Sequence, residues 1–230
     1  MGSDNLFHKR KAKADGDTQR RKAKRDAYAK VLIVCEGEKT EPLYFSELVD
    51  HYEIHSANVR VTGACGSDPL SVVNYAYDLF TNEKDASSGP FDRVYCVFDR
   101  DTHTTYQAAL TKIASYKPKG TFFPITSVPC FEYWLLLHFT YTTTPFMPTG
   151  NASAGATVLK HLQTYWPTYN KAAHGTFAHT LQISNDDLSF AKANAKRALS
   201  QSKQHHDDNP STQVHELVDY LQNIKTDHST

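Results

Sequence analysis

Val31-Leu32-Ile33-Val34-Cys35-Glu36-Gly37 and, much later, Val94-Tyr95-Cys96-Val97-Phe98-Asp99-Arg100-Asp101 are the stretches whose reading decides the fold. Each is an unbroken apolar run, the pattern of a strand covered on both faces, and each ends in acid. Working outward, Thr40 to about Tyr52 reads as a helix with Pro42 in its first turn, where the missing N–H is harmless. Val59-Arg60-Val61 reads as a short strand. Ser67-Asp68-Pro69, followed by Leu70, Val73, Tyr77 and Phe80, gives a cap, an early proline and helical spacing. Thr104 to Tyr116 reads as a helix, and Thr121 to Ile125 as a strand that Pro124 places near an edge or end. The alternation predicts an α/β fold: a parallel sheet flanked by helices, with right-handed crossovers. Beyond residue 130 the pattern is mostly helical, over Phe131–Phe139, Ala154–Tyr165, Asp187 to about His205 and Gln213–Ile224. Asn209 to Thr212 reads as a turn into that last helix. The expected organisation is a basic arm over 1–27, an α/β domain over 28–140 and a helical C-terminal extension over 141–230.

The chain has 230 residues, 40 % of them hydrophobic and 22 % charged, with 10 Gly and 10 Pro. That length supports a core without disulfides or a structural metal, and the composition excludes collagen-like, coiled-coil and wholly disordered classes. No apolar window reaches the length of a membrane span, so no membrane partner is expected. The basic start lacks the apolar region of a secretory signal. Cys35, Cys65, Cys96 and Cys130 are widely spaced and form no CxxC, which predicts a reducing, cytoplasmic setting. The net charge of zero has two unlike parts. Residues 1–30 hold ten Lys/Arg against four acids, and the rest hold fifteen against twenty-one. Lys9, Arg10, Lys11, Arg20, Arg21 and Lys22 are candidates to meet nucleic-acid phosphates; a solubilising tail explains them equally well.

The functional crevice of an open parallel sheet lies beyond the carboxyl ends of its strands. Glu36, Asp99 and Asp101 therefore fall at one rim. Residues i and i+2 of an extended segment point the same way, so Asp99 and Asp101 are expected to project together. If the two strands are neighbours, Glu36 reaches that pair. Three such carboxylates repel one another unless protonated or neutralised by a cation. Hard oxygen donors suit Mg2+ or Mn2+, and such clusters serve phosphodiester chemistry. Gly37 lets the backbone turn sharply after the acid. Lys39, at a helix start beside Glu36, and Arg100, between the aspartates, are further candidates for substrate phosphate.

An apolar strand ending in Glu-Gly, then a later one ending in Asp-x-Asp, resembles the Toprim domain of topoisomerases, primases and overcoming-lysogenization-defect nucleases. The string from Val31 through Glu36-Gly37-Glu38-Lys39-Thr40-Glu41-Pro42-Leu43-Tyr44-Phe45 resembles the opening of the RloB-like family, a prokaryotic group associated with phage defence and abortive infection. Pro129-Cys130-Phe131-Glu132-Tyr133-Trp134 and Asn209-Pro210-Ser211-Thr212-Gln213 resemble its later blocks. The resemblance covers about residues 30–220 and implies a Toprim/Rossmann-like sheet. It also implies a divalent-metal-dependent nuclease acting on RNA (tRNA included) or DNA, with an AAA-type ATPase as partner; the sequence itself leaves a homo-oligomer open. Glu36 would be a metal ligand or general acid/base, Asp99 and Asp101 would hold Mg2+ (or Mn2+), and Glu41 and Glu132 are secondary metal candidates. None of the 13 tyrosines is marked as a nucleophile for strand passage, so hydrolysis is expected over rejoining. The competing reading is a non-catalytic nucleic-acid or nucleotide-binding module that signals to the ATPase.

Of the remaining features, Phe131, Tyr133 and Trp134 have the spacing of core residues, with base stacking as the lesser reading. Consecutive residues rarely converge on one ion, so His205-His206-Asp207-Asp208 is a solvated helix end. His174 and His179 flank a loop glycine.

Overall fold

The computed structural model describes residues 28–84, 86, 89–184 and 187–226. The fold is α/β, built on a five-stranded sheet in the order β2-β1-β3-β4-β5, parallel except for β5. The strands are β1 (Val31–Cys35), β2 (Val59–Thr62), β3 (Arg93–Asp99), β4 (Phe122–Val128) and β5 (Ser211–Thr212). Between the parallel strands run α1 (Thr40–His51), α2 (Pro69–Lys84) and α3 (Tyr106–Ser115). After β4 come α4 (Glu132–Leu136), α5 (Ala154–Tyr165), α6 (Thr176–Ile183), α7 (Ser189–His205) and, beyond β5, α8 (Val214–Asn223).

Period-2 alternation divides the strand side chains between two apolar layers. Leu32 and Val34 of β1, with Val94, Cys96 and Phe98 of β3, pack against α2 and α3. Val31, Ile33 and Cys35, with Tyr95 and Val97, face the larger layer formed by α1 and α4 to α8. That layer is continuous from β1 to α8, so the C-terminal helices share a core with the sheet rather than forming one of their own. Phe131, Tyr133 and Trp134 are fully buried within it, which settles them as packing residues. Trp134 Nε1–H donates to the Tyr44 hydroxyl at 2.9 Å.

Four local expectations change. The aromatic helix is a single short segment, α4, because the chain loosens after Leu136. Helix α3 starts at Tyr106, with Thr105 as its N-cap residue and the Thr105 hydroxyl donating to the Asp68 carboxylate. Helix α6 was not expected; it is short and follows a left-handed Gly175 (φ 81°). Ser211 and Thr212, read as a turn, form β5 and pair with Val128 and Ser127. That pairing puts β4 inside the sheet at its C-terminal end, but the half carrying Pro124 has no strand outside it, as a proline requires.

Two glycines let the β1–α1 turn form. Gly37 adopts φ 75°, a left-handed conformation that disfavours other residues. A Cβ on Gly63, just past β2, would stand 1.8 Å from the Gly37 carbonyl oxygen. Gly63→Ala is therefore expected to push the turn away and destabilise the fold by about 3 kcal/mol, as overpacking does. For a chain of this size that is a fall in Tm of roughly 6–12 °C; a thermal melt matching the parent protein would contradict the tight approach.

Candidate active site

The β1–β3 register, in which Cys35 pairs with Val97, brings the tips of these two strands side by side. Glu36 extends the ladder by one hydrogen bond, its N–H donating to the Val97 carbonyl at 2.9 Å. Its Oε2 accepts the Asp99 N–H at 2.9 Å, so the two acids predicted to meet are joined directly through side chain and backbone.

Their side chains nevertheless lie in different company, because the strand alternation continues into them. Asp99 follows Tyr95 and Val97 onto the α1/α4 face, where Glu41 of α1 and Glu132 of α4 are buried. Glu36 follows Val34 toward the α2/α3 side. There Oε1 lies 3.0 Å from His103 Nε2, and His103 is also close enough to act on the Asp68 carboxylate. Asp68 caps α2, accepting the Ser71 N–H at 3.1 Å. His103, a half-buried partner of Glu36, was not singled out in the sequence; its place just past the acidic strand end was the available signal.

Electrostatics tie these groups together. Burial pushes the Asp99 carboxyl well above its ordinary range, and Glu41, Glu132 and Glu36 add to the shift. Burial likewise lifts Glu41 to about 8, with Glu132 and Glu36 contributing and Lys171 opposing. Glu36 is raised by burial, against the Asp99 N–H and His103, which favour its charged form.

Lys171 supplies the positive charge. Its Nζ lies 2.9 Å from Glu132 Oε1, which also accepts the Tyr169 hydroxyl at 3.2 Å. Burial works against the ammonium, but Glu132 more than offsets it, and the Lys171 pKa rises above the lysine norm. The loop between α5 and α6 delivers this side chain. Ala172, left-handed at φ 68°, donates its N–H to Thr40 Oγ1 at 3.3 Å. The Gly175 and Phe177 N–H groups close on Glu47 at 2.6 and 2.9 Å. Neither Tyr169 nor Lys171 is legible as a site residue in sequence, because a loop lysine after an aromatic helix end carries no spacing signal.

Other candidates separate from this group. The strand ends at Asp99, and Asp101, at φ 28°, has turned out of extended conformation, its N–H donating to the Pro129 carbonyl at 2.9 Å. The premise that Asp99 and Asp101 project together therefore fails. Asp101 is exposed and lines a cavity of about 360 Å3 with Arg100, Pro129, Phe146 and Met147. Arg100 is paired with Asp208 and lies over the Tyr106 ring. Lys39 is exposed at the start of α1, with no side-chain capping bond. Lys9, Arg10, Lys11, Arg20, Arg21 and Lys22 lie outside the described residues.

The donor chemistry of Glu36, Asp99, Glu41 and Glu132 fits a hard divalent cation. Glu132 Oε2 is buried without a hydrogen-bond partner, an acceptor such a cation would satisfy. Among the described residues, however, no three His, Cys, Asp or Glu side chains stand close enough together to hold an ion as they are.

Removing Lys171 should leave Glu132 buried without its counter-charge. Breaking a fully buried pair costs about 3–5 kcal/mol; with Lys171 half-exposed, Lys171→Met is expected to cost on the order of 2 kcal/mol. Glu132→Gln in the same chain should restore most of the loss in urea unfolding. Equal stability of the parent and Lys171→Met proteins would show that the pair is not what neutralises the cluster.

All four cysteines are free, and among the described residues no helix is long and apolar enough to cross a membrane. No curated protein and no solved structure matches the chain. The family model described as RloB-like protein matches residues 31–221, which span β1 through most of α8 and every residue of the carboxylate group. The chain belongs to the RloB-like protein family.

Proposed function

We propose that this protein is a Toprim-type, divalent-metal-dependent nuclease that hydrolyses phosphodiester bonds in RNA or DNA. The observation that carries the reading is the gathering of Glu36, Asp99, Glu41 and Glu132 at the carboxyl rim of a parallel sheet, where burial, and after it the neighbouring carboxylates, raise the Asp99 and Glu41 pKa values. Gathered anions of this kind are costly for a fold to keep unless they serve a cation or proton transfer. Asp99, Glu41, Glu132 and Glu36 are the residues that would hold Mg2+ or Mn2+, which supplies charge stabilisation at a reacting phosphate. The Asp99 N–H and His103 orient Glu36 from either side, leaving its carboxylate fixed at the rim as an acid or base. Lys171 balances Glu132 at the mouth of the group. Family membership supports an effector role in antiphage defence beside an AAA-type ATPase. The free cysteines support a reducing cytoplasm.

Two measurements test this. Glu36→Gln and Asp99→Asn should each lower Mg2+- or Mn2+-dependent cleavage by at least ~100-fold, the scale of a lost acid/base or ligand group, with the thermal melt preserved. Cleavage surviving both substitutions overturns the site. Binding of nucleic acid with no metal-dependent products favours the signalling-module reading instead.

The second measurement is thermal stability against pH. The folded-state pKa of Glu41, about 8, lies above its unfolded value. Its contribution to stability is thus fully present below the unfolded pKa and is lost as pH rises through about 8. A cation that binds the ionised carboxylates should offset that loss. Mg2+ is expected to raise Tm more at pH 8 than at pH 6. A shift that is absent, or larger at pH 6, would show that the carboxylates do not take the ion.

A further inference from the structure

The seam between α7 and α8 opens outward into a groove. Ala191, Ala195 and Ala198 of α7 and Val214, Leu217 and Val218 of α8 are buried in the shared core. The outward flanks of the two helices line a cavity of about 630 Å3, a volume in the range of small-molecule sites. Ala193 and Leu199 of α7 supply apolar wall, set among charged residues of both helices.

The charges are sorted unevenly. Helix α7 carries Lys192, Lys196, Arg197 and Lys203 and no acid. Arg197 lies over the Tyr141 ring. Lys192 is held by Asp219 at 2.9 Å and by Gln222 at 2.7 Å, which accounts for both charges of that pair. Lys196 and Lys203 are exposed and form no ion pair among the described residues. Opposite them stands exposed Glu216, whose carboxylate accepts from Gln213 Nε2 at 3.4 Å. The groove is left with two unpaired ammoniums against one carboxylate.

Both ammoniums bear on one side chain in the wall. His215 is buried, and its Nδ1 has no partner in hydrogen-bond geometry. Its pKa is lowered to about 4, first by burial; the Lys196 and Lys203 charges press the same way, against the Thr212 carbonyl and Asp219. The ring is neutral near pH 7, so the positive field in the groove comes from the two lysines.

We propose that this groove binds a nucleoside di- or triphosphate. Lys196 and Lys203 lie two turns apart on α7, about 10 Å along the axis, a gap that their flexible stems close around a chain of phosphates better than around one. Glu216 repels phosphate and instead accepts the ribose hydroxyls, as an acid does in dinucleotide sites. Ala193, Leu199 and the lysine stems give the base an apolar bed. A bare anion would leave that bed and Glu216 unused, and a polynucleotide strand would set further phosphates against Glu216 and Asp219. The groove shares no residue with the carboxylate group, so this site and the nuclease reading fail separately.

Isothermal titration calorimetry on the full chain tests the proposal, in EDTA so that no metal bridges the ligand to the carboxylates. ADP should bind, and Lys196→Ala with Lys203→Ala in one chain should weaken it at least ~10-fold, the scale of lost hydrogen bonds to charged groups. Both side chains are exposed, so the thermal melt should not move. Glu216→Gln should weaken ADP binding about 10-fold and leave unchanged the binding of dideoxy-ADP, which lacks both ribose hydroxyls. A merely structural role for Glu216 would lower both alike. The site is overturned if the parent protein does not bind ADP or the double-lysine variant binds it equally well. It is overturned too if pyrophosphate binds as tightly as ADP, or if a short single-stranded oligonucleotide binds there in place of ADP.

Discussion

The structure depends on one pairing. β1 and β3 run parallel in the register that sets Cys35 against Val97, and the next residue of β1 is then held level with the end of β3. From that alone Glu36 meets the Asp99 N–H. A slip of one residue would turn every side chain of β1 to the opposite face, trading Val31, Ile33 and Cys35 of one apolar layer for Leu32 and Val34 of the other. The hydrophobic layers thus fix the position of the acids to within one strand residue, and their meeting at the rim is a by-product of how tightly the core is specified.

The same alternation explains why the acids form two linked groups rather than one knot. Asp99 inherits the face of Tyr95 and Val97 and joins Glu41 and Glu132. Glu36 inherits the face of Leu32 and Val34 and turns to His103. The Asp99 N–H is the bridge between them. Each group has its own partner: the Lys171 ammonium lies against Glu132 on one side, and the His103 ring lies 3.0 Å from Glu36 on the other.

Much of this was legible in the chain. The two apolar runs could be read as strands because they are short, rich in β-branched residues and bounded by turn signals, and their terminal acids followed to the rim. The helices α1, α2 and α5 could be read from proline, caps and spacing. Asp101 was misread because i, i+2 alternation holds only while the backbone stays extended, and the chain leaves β3 at Asp99. Helix α6 and strand β5 were invisible for a different reason. Both are short, and contacts from distant parts of the chain make them, such as Glu47 gripping the start of α6 and Ser127 meeting Thr212. Lys171 and His103 escaped notice because their roles come from where a loop is pinned.

The two-residue strand β5 fastens the segment between α7 and α8 to β4: the Gln213 N–H donates to the Thr126 carbonyl, and the Ser127 and Thr212 hydroxyls share a hydrogen bond. Lys171 also comes after α4. As the polypeptide leaves the ribosome, the acids of β1, α1, β3 and α4 are therefore all synthesised before the ammonium that balances them and before the seam that closes the sheet beside them. Assembly of the rim in this form requires the chain through Thr212, so a truncated product ending before α5 would present its acids uncompensated and its fourth strand unsealed.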